Sequence, residues 1–258
     1  MGWFEPSIAR ALMQAMAVGA RVSMLMVFAP FFGSWAVPPR VKAALAAAFT
    51  ALLYPAYAVR SAGFDLTTWV PWVMSEAVVG LILGLTVHFV FDGVQLAGQI
   101  VGFQMGFSLA NVVSPESDVE TPVIAILQQT LALLIYIQID GPQMMLRALA
   151  RSFAYLPPGT AVLAPPVAEG MVKAAGGMLL VAIQLAAPVL IATLVADVAL
   201  GFLGKASPQL PVLFVGLSAK NVIGVGVLMA ALAFWPELLG GMFARAVATA
   251  EALLCLAH

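Results

Sequence analysis

The sequence has little charge. Asp, Glu, Lys and Arg together make up 9% of its 258 residues, whereas a typical soluble domain has about 25%. So few charges cannot cover a surface that faces water, which predicts a membrane protein or a subunit buried in a membrane-associated assembly. The charges that are present nearly cancel, and a formal net charge of −1 argues against nucleic-acid binding.

Histidine and cysteine are almost absent. The sequence has two histidines, His88 and His258, and one cysteine, Cys255, which can form no disulfide within the chain. It contains no phosphate-binding loop, no metal-ligand spacing and no nucleophile paired with a base. The sequence therefore predicts a protein that is not an enzyme and that binds no metal and no cofactor.

Hydrophobic residues make up 63% of the sequence and fall into long runs. These runs lack the alternation of barrel strands and predict an all-α fold of membrane-associated helices. The run over 69–113 would form a helix about 65 Å long, roughly twice the hydrocarbon core, so it either folds back near Asp92-Gly93 or lies largely outside lipid. Counted as six spans, the runs give no consistent topology from loop charges. They cover residues 7–32, 41–59, 69–113, 122–139, 166–204 and 212–235.

Charged residues lie within these apolar runs, where each costs at least about 2.5–3.5 kcal/mol at the bilayer centre. Five such residues, Arg21, Glu76, Asp92, Asp197 and Lys220, are predicted to be structural groups inside a helix bundle, and the sequence assigns no partner to Arg21 or Glu76. A proton or ion relay is the less favoured alternative, because no series of acids and histidines connects the charges. Asp197 and Lys220 are predicted to be a buried inter-helix pair, because a hairpin at Pro208–Pro211 places them within one helical turn of each other.

Three glycines at intervals of four, Gly98, Gly102 and Gly106, predict a smooth ridge on one helix, which lets another backbone approach closely. The ridge leads into GFSLANVVSPESDVETP, residues 106–122, a polar stretch with three acids and no base. From its residues alone, this stretch is predicted to be an ordinary solvated loop between helices.

Four stretches, in order along nearly the whole chain, resemble the FliR family, the flagellar export-gate subunit whose counterpart in virulence secretion systems is called SctT. Each is weak alone, and together they are specific. The sequence departs from the family's usual residues at Ser114, which replaces an aspartate, and at Pro211, which replaces an asparagine. The stretches are RVSMLMVFAPFFGSWAVPPRVKAALA, GQIVGFQMGFSLANVVSPESDVETPVI, SFAYLPPG and APVLIATLVADVALGFLGKASPQLPVLFVGLSAKN.

The resemblance implies helical hairpins packed as one protomer of a helical export gate. Residues 1–165 would be similar to FliP and residues 166–258 would form a hairpin similar to FliQ. The implied partners are FliP-like and FliQ-like subunits, FlhB-like and FlhA-like proteins, and unfolded export substrates. The implied location is the bacterial inner membrane, crossed several times, at the flagellar basal body.

The resemblance also implies a role for the acidic loop. In the family, the corresponding loop projects into the central channel as part of its plug. Mapped onto this chain, the plug covers about residues 106–121. Its predicted residues are Gly106, Ser108, Asn111, Ser114, Pro115, Glu116, Ser117, Asp118 and Glu120.

Three alternatives stay open on the sequence. Arg40 and Lys42, which follow Pro38-Pro39, mark either a contact with another subunit or surface charge without a partner. The system is either flagellar or a virulence injectisome. In a different functional class, the chain would be a small-solute transporter or channel that works alone, which predicts a conventional topology and a stable isolated protein.

Overall fold

The computed structural model describes most of the chain, and its described residues contain helices and no strand. The predicted all-α fold is therefore confirmed. The described residues are 6–33, 37–57, 66–107, 123–161, 164–207 and 212–257. The helices are α1 (Pro6–Phe28), α2 (Pro39–Tyr57), α3 (Leu66–Gln104), α4 (Val123–Gln138), α5 (Gly141–Tyr155), α6 (Pro165–Ala206), α7 (Val212–Leu232) and α8 (Trp235–Cys255).

Two helices are unusually long. α3 has 39 residues and α6 has 42, so at 1.5 Å per residue each is about 60 Å long. Of the two alternatives for the long run over 69–113, the reversal near Asp92-Gly93 does not occur, because α3 continues through both residues. Gly93 allows α6 to approach α3 closely, because a Cβ added at Gly93 would lie only 2.8 Å from Cβ of Val181 on α6.

Two helices were not predicted from hydrophobicity. α5 is amphipathic, with Met145, Leu149 and Phe153 buried along one face, and its mixed composition hides it from a search for apolar runs. α8 begins at Trp235, where the last predicted run ends. Asp140, which directly precedes α5, adopts a left-handed conformation with φ of 57°.

Four helices of the described ranges, α1, α3, α6 and α8, are long and apolar enough to cross a membrane. The number rises to five if the bent α4–α5 pair counts as one span. The described residues therefore hold fewer spans than the six counted from the sequence. With this content of long apolar helices, the protein is an all-α membrane protein.

The chain forms two compact units. Unit 1 contains Met1–Phe89, Asp140–Ala175 and Phe243–His258, and unit 2 contains Val90–Ile139 and Gly176–Met242. Each unit is built from separate stretches of the chain, and the division into residues 1–165 and 166–258 stays a prediction. The likeness of the two portions to FliP and FliQ stays a prediction.

Within unit 1, glycines bring α3 close to α1. A Cβ added at Gly80 would overlap the carbonyl oxygen of Arg21, and one added at Gly84 would lie 2.8 Å from Cβ of Phe28. Gly80 and Gly84 belong to the sequence GLILG and lie one turn apart on α3, so together they form a groove for α1. This contact places Arg21 directly beside α3.

Within unit 2, the second half of α3 packs on α4. A Cβ added at Gly98 would overlap Cα of Ala125. Phe91 on α3 and Tyr136 on α4 pack edge to face, with ring centroids 5.5 Å apart, which is a favourable aromatic geometry. These contacts hold the part of α3 that leads to the acidic stretch.

Candidate functional site

A buried ion pair joins α1 to α3 in unit 1. Arg21 and Glu76 have no exposed surface. Arg21 Nε donates to Glu76 Oε2 at 2.7 Å, and Arg21 Nη2 lies 2.6 Å from the same oxygen. Glu76 Oε1 accepts a hydrogen bond from the backbone N–H of Gly159 at 2.9 Å. Both carboxylate oxygens are therefore hydrogen-bonded, which offsets the cost of burying the two charges.

The other donors of Arg21 bind the end of α5 and the chain after it. Arg21 Nη1 donates to Ser152 Oγ, and Arg21 Nη2 donates to the carbonyl oxygen of Leu156, both at 3.1 Å. The Phe153 ring centroid lies 4.2 Å from Arg21 Cζ, within the range of a cation–π contact. The SFAYLPPG motif thus folds around the first residue of the RVSMLMV motif.

These residues, which we call the Arg21 cluster, connect α1, α3 and the α5 end of unit 1. The cluster consists of Arg21, Glu76, Ser152, Phe153, Leu156 and Gly159. Each nitrogen of the Arg21 guanidinium has an acceptor within the cluster. Because arginine does not lose its proton in proteins, this geometry favours a structural role over a proton relay. Among the described residues, no group of three His, Cys, Asp or Glu side chains is placed to hold a metal ion.

The pair that the sequence predicts, Asp197 on α6 and Lys220 on α7, is in contact within unit 2. The side-chain amide of Gln104, the last residue of α3, donates to Asp197 Oδ2 at 3.3 Å. Both charged side chains are predicted to be buried, but Asp197 is 39% exposed and Lys220 is 20% exposed. The reason is open space beside this part of α6, where a Cβ added at Gly201 would meet no atom within 4 Å.

The glycine ridge of α3 is shorter than predicted. Gly98 packs on α4, and Gly102 is buried. Because α3 ends at Gln104, Gly106 does not extend the ridge. It ends the helix instead, with φ of 84°, a conformation that glycine adopts at no steric cost.

Two backbone hydrogen bonds define this helix end. The N–H of Gly106 donates to the carbonyl of Phe103 at 3.0 Å, and the N–H of Phe107 donates to that of Gly102 at 2.9 Å. This is the Schellman pattern of helix termination. The chain therefore leaves α3 in a defined direction at Phe107. Of the predicted plug residues only Gly106 is described, and Ser108, Asn111, Ser114, Pro115, Glu116, Ser117, Asp118 and Glu120 lie outside the described residues.

The basic residues after Pro38-Pro39 have different surroundings in unit 1. Lys42 Nζ donates to the carbonyl oxygen of Gly33 at 2.9 Å, which ties α2 to the turn that follows α1. Arg40 is exposed on the first turn of α2. The contact with another subunit stays a prediction, and Arg40 is the residue better placed to make it.

Several residues of these clusters were not found by sequence reasoning. The GLILG pair, Gly80 and Gly84, was overlooked although its spacing of four is visible in the sequence. Ser152 and Gln104 gave no such signal, because no spacing rule relates a serine or an amide to a charge on another helix many residues away. Ser152 lies in the motif SFAYLPPG and Gln104 lies in the motif GQIVGFQMG, but neither motif indicates which residue its member binds.

Comparison with known proteins places the chain in a family. Residues 12–246 match the family described as bacterial export proteins, family 1. The flagellar biosynthetic protein FliR of Escherichia coli (strain K12) is 32% identical over 82% of this chain and 81% of its own. FliR of Bacillus subtilis (strain 168) is also 32% identical, over 70% of this chain and 71% of its own.

A relative of a different name is similar over a comparable length. The surface presentation of antigens protein SpaR of Salmonella typhimurium (strain LT2) is 27% identical over 88% of this chain and 85% of its own. The family match over residues 12–246 includes all four motifs. Because the family match covers most of the residues, the chain belongs to family 1 of the bacterial export proteins, the FliR family that its motifs indicate.

Proposed function

We propose that this protein is a core subunit of the flagellar type III protein export gate. In the inner membrane it helps to form, and to plug, the channel for unfolded flagellar proteins. The observation that carries the proposal is the similarity to the E. coli FliR protein over 82% of this chain. The two relatives that are 32% identical both carry a flagellar name, which supports the flagellar system as the first choice.

The proposed partners are the subunits of the same assembly. FliP-like and FliQ-like subunits would complete the gate, with FlhB-like and FlhA-like proteins beside it. The plug would be formed by about residues 106–121. Its position directly after the Schellman end of α3 supports this assignment, because a rigid helix end gives the loop a fixed base.

Gene neighbourhood distinguishes the two secretion systems. Neighbouring genes for hook, rod and motor proteins would support the flagellar gate. Neighbouring genes for needle and effector proteins would instead assign the chain to a virulence injectisome, with the same gate architecture and different substrates.

Purification together with the neighbouring gene products distinguishes an export-gate subunit from a transporter that works alone. Pulled down through a tag on this chain, the protein is expected in a complex several times the mass of a single chain, because much of its apolar surface lies open. Native mass spectrometry of the detergent-solubilised sample measures this mass. A monodisperse lone chain that moves an ion in liposomes would contradict the proposal.

Deletion of residues 110–119 tests the plug. The complex is expected to keep its mass, because the Arg21 cluster and the α3–α4 contacts lie elsewhere, while the membrane becomes leaky to ions and small molecules. Leak is measured by dye and ion flux across the membrane of cells expressing the assembled gate. The control, Glu116→Gln with Asp118→Asn and Glu120→Gln, keeps the length of the loop and should keep the membrane tight. A tight membrane around an assembled deletion mutant would refute the plug.

A further inference from the structure

The last residues of α3 are held by the α6–α7 hairpin within unit 2. Gln104 donates its side-chain amide to Asp197 Oδ2 at 3.3 Å, and Lys220 on α7 pairs with the other oxygen of Asp197. One carboxylate therefore connects three helices. Because Asp197 and Lys220 are partly exposed, their ion pair alone contributes little stability, but it orients the carboxylate toward Gln104.

A second contact lies one residue further along. Met105 is fully buried, and its side chain occupies the space left by Gly224 on α7. A Cβ added at Gly224 would lie 2.8 Å from Met105 Sδ and 2.9 Å from Met105 Cε. Gly226, two residues later on the same helix, has no atom within 4 Å of an added Cβ. The absence of a side chain at position 224 thus leaves the space that the Met105 side chain fills, whereas the glycine at position 226 has no such neighbour.

These contacts lie next to the turn that ends the helix. Gly106 and Phe107 follow Met105 directly and make the two Schellman hydrogen bonds. The turn sets the direction of the chain relative to α3, while Gln104 and Met105 set it relative to α6 and α7. Together they determine the direction in which the chain leaves α3 at Phe107.

We propose that Gln104, Met105, Asp197, Lys220 and Gly224 form a clamp by which the α6–α7 hairpin positions the end of α3. We call these residues the α3 clamp. If the hairpin moves, the end of α3 moves with it or is released. The consequence for the channel rests on the proposed function: the clamp would hold the base of the plug.

The position of the α3 end can be measured without reference to export. Spin labels are attached at Phe107→Cys and Leu180→Cys in a Cys255→Ser background, since both positions are exposed. Leu180 lies on α6, roughly 25 Å along the helix from Asp197 at 1.5 Å per residue, so the pair suits pulsed electron paramagnetic resonance. The parent protein is expected to give one narrow distance distribution.

Two substitutions weaken the clamp, and each has a matched control. Gly224→Ala crowds Met105, whereas Gly226→Ala on the same helix meets open space. Gln104→Leu removes the hydrogen bond to Asp197, whereas Gln129→Leu makes the same change at an exposed position on α4. Loss of a hydrogen bond to a charged group should raise, by about tenfold, the fraction of molecules in which the end of α3 is released from α6 and α7. The distribution of distances between the spin labels then becomes broader. Distributions identical to those of the controls would overturn the clamp.

Charge exchange supplies a test by rescue. Asp197→Lys and Lys220→Asp should each broaden the distribution, because each places like charges together. The double variant should restore it, since the amide of Gln104 can accept a hydrogen bond as well as donate one. Failure of the rescue would refute the part assigned to the ion pair.

Leak measurements separate the clamp from the plug. In the assembled gate, Gly224→Ala and Gln104→Leu should raise leak, and they should add nothing when residues 110–119 are deleted. If the deletion leaks while the clamp variants broaden the distances without leaking, the clamp does not position the plug and this inference fails. If the deletion itself does not leak, the plug assignment fails, and the distance distributions still decide whether the clamp exists.

Discussion

Arg21 is a charged residue with no exposed surface, and its surroundings explain how the fold tolerates it. Its three nitrogens donate to Glu76, Ser152 and the backbone of Leu156. A buried charge that keeps full hydrogen bonding is tolerated, whereas removal of one partner leaves the other charge uncompensated. The pair therefore makes the two side chains depend on each other.

Arg21→Ala is expected to destabilise the protein by about 3–5 kcal/mol, because Glu76 would stay buried without a counter-charge. The double variant Arg21→Met with Glu76→Leu should recover most of this loss, because an apolar pair of similar volume removes the charge. Thermal unfolding of the detergent-solubilised protein measures both effects. Arg40→Ala, at an exposed arginine of α2, is the control and should change stability by about 0.5 kcal/mol or less. Equal destabilisation in the single and double variants would show that packing, and not charge compensation, matters at this site.

At the scale of elements, α3 carries two separate glycine contacts. Gly80 and Gly84 receive α1 in unit 1, and Gly98 receives α4 in unit 2. In each case the partner backbone lies where a side chain would otherwise be. In a membrane the hydrophobic effect does not drive helices together, because lipid is as apolar as the helix surface. Van der Waals contact between closely approaching backbones stabilises the helix pair instead.

Gly80→Ala is expected to destabilise unit 1, because the new Cβ overlaps a backbone carbonyl that cannot move without shifting α1. The expected size is about 1–3 kcal/mol, the usual effect of overpacking. The control is Gly176→Ala on α6, where no atom lies within 4 Å of an added Cβ. This control should be neutral or stabilising, since alanine favours a helix over glycine by about 1 kcal/mol. Melting temperatures of both variants in detergent decide the outcome, and equal shifts would contradict a close contact at Gly80.

Helix boundaries show how far local sequence patterns reach. The apolar runs predicted α1, α4 and α7 within a few residues. They missed α5, whose buried face alternates with Gln143, Arg147 and other polar residues, because a count of hydrophobic residues does not register amphipathic periodicity. They also misplaced the end of α3, because Gly106 fits equally well on a helix ridge and in a left-handed helix end.

At the scale of the whole molecule, α6 is the least covered of the long apolar helices. Only 28% of its span is buried within the chain. A helix of about 60 Å is roughly twice as long as the hydrocarbon core, so lipid cannot cover all of its apolar surface. The apolar residues beyond the bilayer require protein contacts. This is the physical basis for expecting a complex, and not a lone chain, in the mass measurement. The exposed residues include Leu179, Leu180, Ile183, Ile191, Leu194, Val195, Val198, Phe202 and Leu203.

Composition and short motifs determined the class of this protein without a structure. Sparse charge and long apolar runs require helices in or near a membrane, because these properties act over a few turns of the chain. Four motifs indicated the family, and the matching relatives confirm it. The hairpin argument also anticipated that Asp197 and Lys220 meet, since two helices joined by a short turn have a calculable register.

Only the tertiary structure decided which distant groups meet. Arg21 binds residues 55, 131 and 135 positions away, and Gln104 reaches Asp197 across 93 positions. Such pairings depend on where helix backbones cross, and the crossing of α1 with α3 is placed by the absence of a side chain at Gly80. A local sequence pattern cannot specify these pairings, because the free energy of a helix crossing depends on the residues of both helices.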